Sequence, residues 1–255
     1  MNSLSATVEP SKRPSFMLLG LEPWRAAWEF AAHKLAPNRT VARGDGRPVV
    51  IFPGMASNSR AVAPLREYCE SIGYTALEWG RGFNTGPRGD VDAWLAELAH
   101  ETQARLAQFD AKATLIGWSL GGLYARELAK LMPAQVGQVI TIGTPFNAEA
   151  DHTNVGWLYQ LLNGHRAAPD GALSGRLRRA PNVPTTSIYS RSDGVVAWQT
   201  CTHDAPSARA QDIEVRSSHL GMGWNRAVLR VVGECLARPP GHRGDAPTAS
   251  GMQPQ

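Results

Sequence analysis

A serine lies in a glycine-flanked turn between an apolar run and a helical pattern. Residues 117–121 read Gly-Trp-Ser-Leu-Gly, so Ser119 has a glycine two positions before it and two after it. Residues 113–116 are apolar or β-prone, and leucines recur at helical spacing from Leu120 to Leu131. A strand that turns sharply into a helix holds a serine with its hydroxyl exposed, provided that the flanking residues are small. Ser119 is therefore a candidate nucleophile, and a solvent-facing serine in an ordinary strand–helix turn is the alternative.

A serine hydroxyl needs a base within hydrogen-bond reach, and the chain has 7 histidines that could supply one. His219 follows directly after a strand predicted at 212–216, which places it at the carboxyl edge of a sheet, beside Ser119. His203, in the loop before that strand, is the main competitor. The other histidines fall in predicted helices, in a predicted insertion or in the tail: His33, His100, His152, His165 and His242. His219 is the predicted base.

The base in turn needs a carboxylate that fixes its tautomer and stabilises its positive charge. Asp193 follows a strand predicted at 183–190 and precedes a glycine, so its carboxylate can point back to the carboxyl edge. Asp170 lies in the predicted insertion, and Asp204 and Asp212 come before the last strand, on its other side. Asp193 is the predicted acid, and the order along the chain is then serine, aspartate, histidine.

Alternating strands and helices are predicted to position these three side chains. The predicted strands lie at 48–52, 74–79, 113–116 and 138–145, with helices at 60–71, 90–109 and from 120 onward between them. This alternation indicates a mostly parallel, doubly wound sheet with helices on both faces. Parallel strands share one carboxyl edge, and the serine, aspartate and histidine are all expected there.

Some stretches of the chain do not follow this alternation of strands and helices. Residues 147–181, with a short helix candidate at 155–162, are predicted to form a lid over the site, or else a surface insertion with no gating role. Polar residues at 1–15 and 239–255 predict flexible tails around a domain at 16–238.

A helix is predicted at 22–36, with Pro23 in its first turn. Trp24, Trp28 and Leu35 share one apolar stripe of this helix, which we expect to dock on the body of the domain. A membrane interface or a lipid-like substrate entrance is the alternative for the stripe.

Composition restricts the class of protein. The 255 residues are 43% hydrophobic, which is enough for one sizeable core. The net charge is +4, but the basic residues are scattered, so no nucleic-acid partner is predicted. The cysteines match no metal-binding spacing and are predicted to be buried free thiols, with a Cys201–Cys235 pair as the alternative. No metal or cofactor is predicted. The absence of a signal peptide or transmembrane pattern predicts a cytoplasmic protein whose membrane association is at most peripheral.

Residues 48–237 resemble an α/β-hydrolase of the bacterial lipase/esterase branch. The elbow at 117–122 (Gly-Trp-Ser-Leu-Gly-Gly) resembles the nucleophile elbow of that family. The sequence Phe-Pro-Gly-Met at 52–55 resembles its oxyanion loop, which begins His-Gly in many relatives. Three further segments resemble the strand after the elbow, the acid turn and the histidine turn: 140–146, 190–198 and 218–221.

The resemblance implies that Ser119 attacks an acyl carbonyl, that His219 takes and returns the proton, and that Asp193 orients His219. It also implies an oxyanion hole made by the backbone N–H groups of Leu120 and Met55, with Ala56 as the alternative to Met55. Apolar residues near the carboxyl edge are predicted to line an acyl pocket, chiefly Trp118, Phe146, Trp157 and Trp198.

The predicted function is cleavage of a small-molecule or lipid carboxylic ester by a serine hydrolase through an acyl-enzyme. An acyltransferase or a thioesterase needs the same three residues and is the nearest alternative. A binding protein of the same fold is a second alternative. A metallohydrolase is disfavoured because the sequence has no ligand cluster such as His-Glu-x-x-His.

Overall fold

The computed structural model describes residues 14–35, 43–147, 171–204, 207 and 209–238. Its strands are β1 (Pro48–Phe52), β2 (Thr75–Glu78), β3 (Ala113–Trp118), β4 (Val136–Ile142), β5 (Thr185–Tyr189) and β6 (Ala210–Glu214). Its helices are α1 (Phe16–Leu35), α2 (Ala63–Ser71), α3 (Val91–Leu106), α4 (Leu120–Leu131), α5 (Gly171–Arg178) and α6 (Arg226–Leu236). The proposed helix at 155–162 and both predicted tails, apart from Pro14 and Ser15, lie outside the described residues.

These strands form one parallel sheet in the order β2-β1-β3-β4-β5-β6, which confirms the predicted doubly wound architecture. Strands β1, β3 and β4 are buried along their whole length, which explains why their sequences are mostly apolar. The strand order reverses between β1 and β3. In open α/β sheets, ligands bind at the carboxyl ends of the strands at such a reversal.

Two apolar layers cover the sheet, one on each face. On one face α3 and α4 pack against residues such as Val50, Leu115 and Val139. On the other face α2 and α6 pack against residues such as Ile51, Ile116 and Ile140. All three cysteines are buried and unpaired, which confirms the prediction of free thiols. In the described part of the chain, no helix combines the length and apolar character needed to cross a bilayer.

Helix α1 starts earlier than predicted. It begins at Phe16, because the Ser15 hydroxyl accepts hydrogen bonds from the N–H groups of Met17 (3.2 Å) and Leu18 (3.4 Å). The predicted start at residue 22 was wrong, and Pro23 lies inside the helix rather than in its first turn.

The expectation that the tryptophan stripe of α1 docks on the domain was also wrong. Trp24 and Trp28 are each 76% exposed and Leu35 is 85% exposed. The opposite, polar face lies against the body of the domain, and Glu22 on that face is only 1% exposed. The helix docks by this face because loops beneath it present backbone N–H groups that carboxylates can accept from.

Candidate active site

Ser119 lies in a strained turn between β3 and α4. Its φ of 53° and ψ of −121° fall in a region that residues with a side chain rarely adopt. Its N–H donates to the Ile142 carbonyl (2.8 Å), and the Thr144 hydroxyl donates to the Ser119 carbonyl (3.0 Å). The neighbouring strand β4 and the residues after it thus hold the strained backbone in place.

Glycines make this turn sterically possible. A Cβ at Gly117 would collide with the Gly121 carbonyl, and one at Gly121 would collide with the Phe52 carbonyl at the end of β1. A Cβ at Gly122 would collide with the Thr144 side chain. The small residues around the serine are therefore required by the close approach of strand, helix and β1 loop, as the sequence predicted.

Asp193 lies in the turn after β5 and is 4% exposed. Its Oδ1 accepts hydrogen bonds from the N–H groups of Val195 (2.8 Å) and Val196 (2.7 Å), two and three residues further along the chain. This local turn fixes the carboxylate and leaves Oδ2 for another partner.

His219 links the aspartate to the serine. Its Nδ1 is 2.7 Å from Asp193 Oδ2, and its Nε2 is 3.1 Å from Ser119 Oγ. A neutral imidazole meets both bonds when Nδ1 carries the proton and Nε2 accepts from the hydroxyl. The structure thus brings together the three side chains predicted from the sequence, although they lie up to 100 residues apart along the chain.

The surroundings of His219 favour its protonated form. Burial by itself lowers the pKa of His219, but the charge and hydrogen bond of Asp193, with a further contribution from the charge of Glu22, outweigh it. The net result is a pKa raised from the ordinary value of 6.5. A base with a raised pKa is a stronger proton acceptor. As the pH falls, however, it becomes protonated at a higher pH than an ordinary histidine does.

Two neighbours fix the position of the imidazole ring. The Trp118 indole N–H donates to the His219 carbonyl (3.2 Å), and the two rings lie 5.9 Å apart. Gly143 has a φ of 55°, and a Cβ there would stand 3.2 Å from His219 Nδ1 and 2.8 Å from the Met222 sulfur. A glycine after β4 therefore leaves the space that the ring occupies.

The loop after β1 holds backbone N–H groups near the serine turn. In the part of the chain that the structure describes, the N–H groups of Met55 and Leu120 donate to no protein acceptor. The N–H of Ala56, the sequence-based alternative to Met55, donates to the Asn84 carbonyl (2.8 Å). The Asn84 side chain also donates to the Pro53 carbonyl (2.8 Å), which braces this loop.

His203, the competing histidine, is engaged elsewhere. Its Nδ1 is 2.7 Å from Asp212 Oδ1, and its Nε2 is 3.1 Å from the buried guanidinium of Arg126. Arg126 has only donors to offer, so Nε2 of His203 serves as an acceptor for it.

The residues predicted to line an acyl pocket have different surroundings. Trp118 lies against His219, as described above. Phe146 packs against Arg126 and His203, with the guanidinium carbon 3.8 Å from the centre of its ring. Trp198 stacks on Tyr189, with ring centroids 5.6 Å apart. Trp157 lies outside the described residues.

Sequence reasoning missed three residues that contact the aspartate and histidine turns. Glu22, Arg25 and Glu29 on α1 hydrogen-bond to the residues on either side of Asp193, to the residue before His219 and to the backbone N–H of His219 itself. Their spacing of three and four residues places them on one helix face, which is a signal that the sequence did contain. The tryptophan stripe on the opposite face was the more conspicuous pattern.

No family model matches the chain. It is similar to the pimeloyl-acyl-carrier-protein methyl ester esterase of Shewanella sp. (strain MR-7), with 33% identity over 104 residues, 40% of this chain and 36% of the relative. The enzyme of the same name from Shewanella woodyi is 33% identical over 124 residues, 47% of this chain and 45% of the relative. The chain thus spans less than half the length of these curated relatives.

Solved structures are similar over more of the chain. A structure from work on LipS and LipT, two metagenome-derived lipolytic enzymes, aligns with a TM-score of 0.57 at 15% identity, covering 77% of this chain and 95% of that one. The monoacylglycerol lipase of Paleococcus ferrophilus aligns with a TM-score of 0.53 at 13% identity, covering 78% and 98%. Mouse alpha/beta hydrolase domain-containing protein 10 aligns with a TM-score of 0.50 at 16% identity, covering 76% and 89%. These likenesses identify the fold.

Proposed function

We propose that this chain, which has the α/β-hydrolase fold, hydrolyses carboxylic esters through an acyl intermediate on Ser119. The observation that carries the proposal is the pair of hydrogen bonds made by His219, to Asp193 on one side and to Ser119 on the other. The similarity to enzymes named as esterases supports the same reaction class.

In the first half of the reaction, the Ser119 oxygen attacks the acyl carbonyl while its proton passes to Nε2 of His219. Asp193 keeps the imidazole in the tautomer that can accept and stabilises the positive charge that forms. The carbonyl oxygen becomes negatively charged, and the N–H groups of Met55 and Leu120 are the donors we assign to it. A donor of this kind lowers the barrier by about 3–4 kcal/mol.

The bond between the acyl carbon and the ester oxygen then breaks, and His219 gives the proton to the departing alkoxide. An alcohol leaves and Ser119 carries the acyl group as an ester, which completes the first half. Water then attacks this ester and gives its proton to His219. The carboxylic acid leaves as the same proton returns to the Ser119 oxygen, which regenerates the starting state.

The substrate that we propose is a small-molecule or lipid carboxylic ester. The names of the curated relatives make methyl esters of acyl groups the first substrates to test, both free and attached to an acyl-carrier protein.

Esterase assays with p-nitrophenyl esters of increasing acyl length test the proposal, with Ser119→Ala as the control. We expect hydrolysis by the unmodified protein and none above background for Ser119→Ala. Equal hydrolysis by both proteins would overturn the assignment of Ser119. The same assays with an added acceptor alcohol distinguish hydrolysis from acyl transfer, because a transferase forms a new ester with that alcohol.

A further inference from the structure

Helix α1 lies directly on the two turns that carry Asp193 and His219. Its backbone touches the aspartate turn, since a Cβ at Gly194 would stand 2.6 Å from the Leu18 carbonyl oxygen. At the histidine turn, the Trp224 indole N–H donates to the Ala26 carbonyl (3.0 Å). The close approach at Gly194 is possible only without a side chain there.

One carboxylate of α1 joins the two turns. Oε1 of Glu22 accepts hydrogen bonds from the N–H of Gly194 (2.8 Å) and from the N–H of His219 (3.0 Å). Its Oε2 accepts from the N–H of Leu220 (3.0 Å). A single buried oxygen thus links the residue after Asp193 to His219 itself. Three N–H donors stabilise the carboxylate in a place that solvent does not reach.

Two further charged residues of α1 reach the same turns without touching His219. Arg25 lies 3.6 Å from Glu22 and donates to the Ser192 carbonyl (2.6 Å), next to Asp193. Glu29 accepts from the N–H of Ser218 (2.8 Å). The turns are also joined to each other without α1, because the Ser190 hydroxyl donates to the Ser217 carbonyl (2.8 Å) and accepts from the Ser217 N–H (3.2 Å).

We propose that Glu22 is a positioning residue that holds the aspartate turn and the histidine turn together, so that His219 stays within reach of Ser119. Its negative charge also stabilises the imidazolium that forms when His219 takes the serine proton. This role rests on the proposed function. Burial lowers the pKa of His219, Asp193 raises it, and the charge of Glu22 adds to the effect of Asp193.

The test compares Glu22→Gln with Glu29→Gln, a matched substitution on the same face of the same helix. Glu22→Gln keeps the size of the side chain but loses the charge and presents an N–H₂ group to backbone donors. We expect kcat to fall by about tenfold to a hundredfold, because small displacements of a catalytic group have effects of this size. KM should stay within about twofold, and the acid limb of the pH profile should move to lower pH.

Glu29→Gln loosens the helix but leaves every contact of His219 in place. We expect a lower melting temperature, with the acid limb where it is in the unmodified protein. If Glu22→Gln behaves in the same way, Glu22 only anchors the helix and the proposal is overturned.

A third variant covers the case in which Glu22→Gln does not fold. Glu22→Asp keeps the charge but is too short to bond both turns at once, so kcat should fall while the acid limb stays closer to that of the unmodified protein. An unchanged kcat in Glu22→Asp would overturn the proposal. Failure of the proposed function has a different signature, namely ester hydrolysis that persists in Ser119→Ala.

Discussion

His219 and His203 have the same kind of partner at Nδ1 but different partners at Nε2. Each has an aspartate oxygen 2.7 Å from Nδ1, and each is nearly buried. At Nε2 the two part, because His219 faces the Ser119 hydroxyl whereas His203 faces the Arg126 guanidinium. A hydroxyl can give up its proton to the imidazole, but a guanidinium stays charged and keeps its proton.

The difference lies in what the fold places opposite the ring. Burial lowers the pKa of Arg126 to about 10, which still leaves it charged at neutral pH. Arg126 also donates to the carbonyls of Leu177 (3.3 Å) and Arg178 (3.1 Å), so its guanidinium joins α4 to the end of α5 as well as to His203. A histidine–aspartate pair alone is therefore no evidence of catalysis, and the group at the second ring nitrogen decides its role.

Replacing each histidine by glutamine gives the largest expected contrast. His219→Gln removes the base that we propose, and we expect kcat for ester hydrolysis to fall on the order of 10⁵–10⁶-fold. His203→Gln should leave kcat within about threefold, because the proposed reaction passes no proton through that ring. Initial rates with a p-nitrophenyl ester measure both. If activity is retained in His219→Gln and lost in His203→Gln, then His203 and not His219 is the base.

The matched aspartate variants should differ in kcat by somewhat less than the two histidine variants do. In Asp193→Asn the amide favours the wrong tautomer of His219, and we expect a decrease of about 10⁴-fold in kcat. Asp212→Asn disturbs only the His203 pair, so its kcat should remain near that of the unmodified protein. Circular dichroism checks that both variants are folded. Similar kcat values for the two would mean that Asp193 does not orient the base.

The pH dependence of hydrolysis tests which of the two histidines titrates in the reaction. The proposed reaction needs neutral His219, whose pKa is raised, so kcat/KM should fall as the pH drops through a value above 6.5. Below that value the rate should decrease about tenfold per pH unit, since one proton is involved. His203→Gln should show the same acid limb. An acid limb that shifts in this variant would mean that His203 titrates in the reaction.

The smallest expected effect is on the stability of the second pair. His203→Gln leaves Arg126 and Asp212 with poorer partners, and we expect the free energy of unfolding to fall by about 1–3 kcal/mol. Urea denaturation followed by fluorescence measures this change. A variant as stable as the unmodified protein would show that the His203 pair has no structural role.

The sequence predicted the features of the site that depend on local backbone geometry. Glycines at 117 and 121 identified the turn at Ser119, because only small residues allow strand and helix to pass so closely. Asp193 and His219 were predicted to lie beside Ser119 from their places after strands, since parallel strands share one carboxyl edge. The partner of the Ala56 N–H could only be found in the structure, because Asn84, whose carbonyl accepts from it, lies 28 residues away along the chain.

The orientation of α1 could not be predicted in the same way. Its sequence has an apolar stripe with Trp24 and Trp28 and a polar stripe with Glu22 and Glu29, and either could face the domain. The usual preference for burying apolar residues predicted that the tryptophan stripe would face the domain, and this prediction was wrong. What decided the outcome was a set of backbone N–H groups in turns about 170 to 200 residues further along the chain, which no local pattern reveals.

Labelling with a fluorophosphonate tests the central claim most directly, because such probes react with a serine that a neighbouring histidine activates. We predict that the unmodified protein and His203→Gln each gain one phosphonyl group, that peptide mapping finds it on Ser119, and that Ser119→Ala and His219→Gln remain unlabelled. Labelling of Ser119→Ala, or of a residue other than Ser119 in the unmodified protein, would contradict the account.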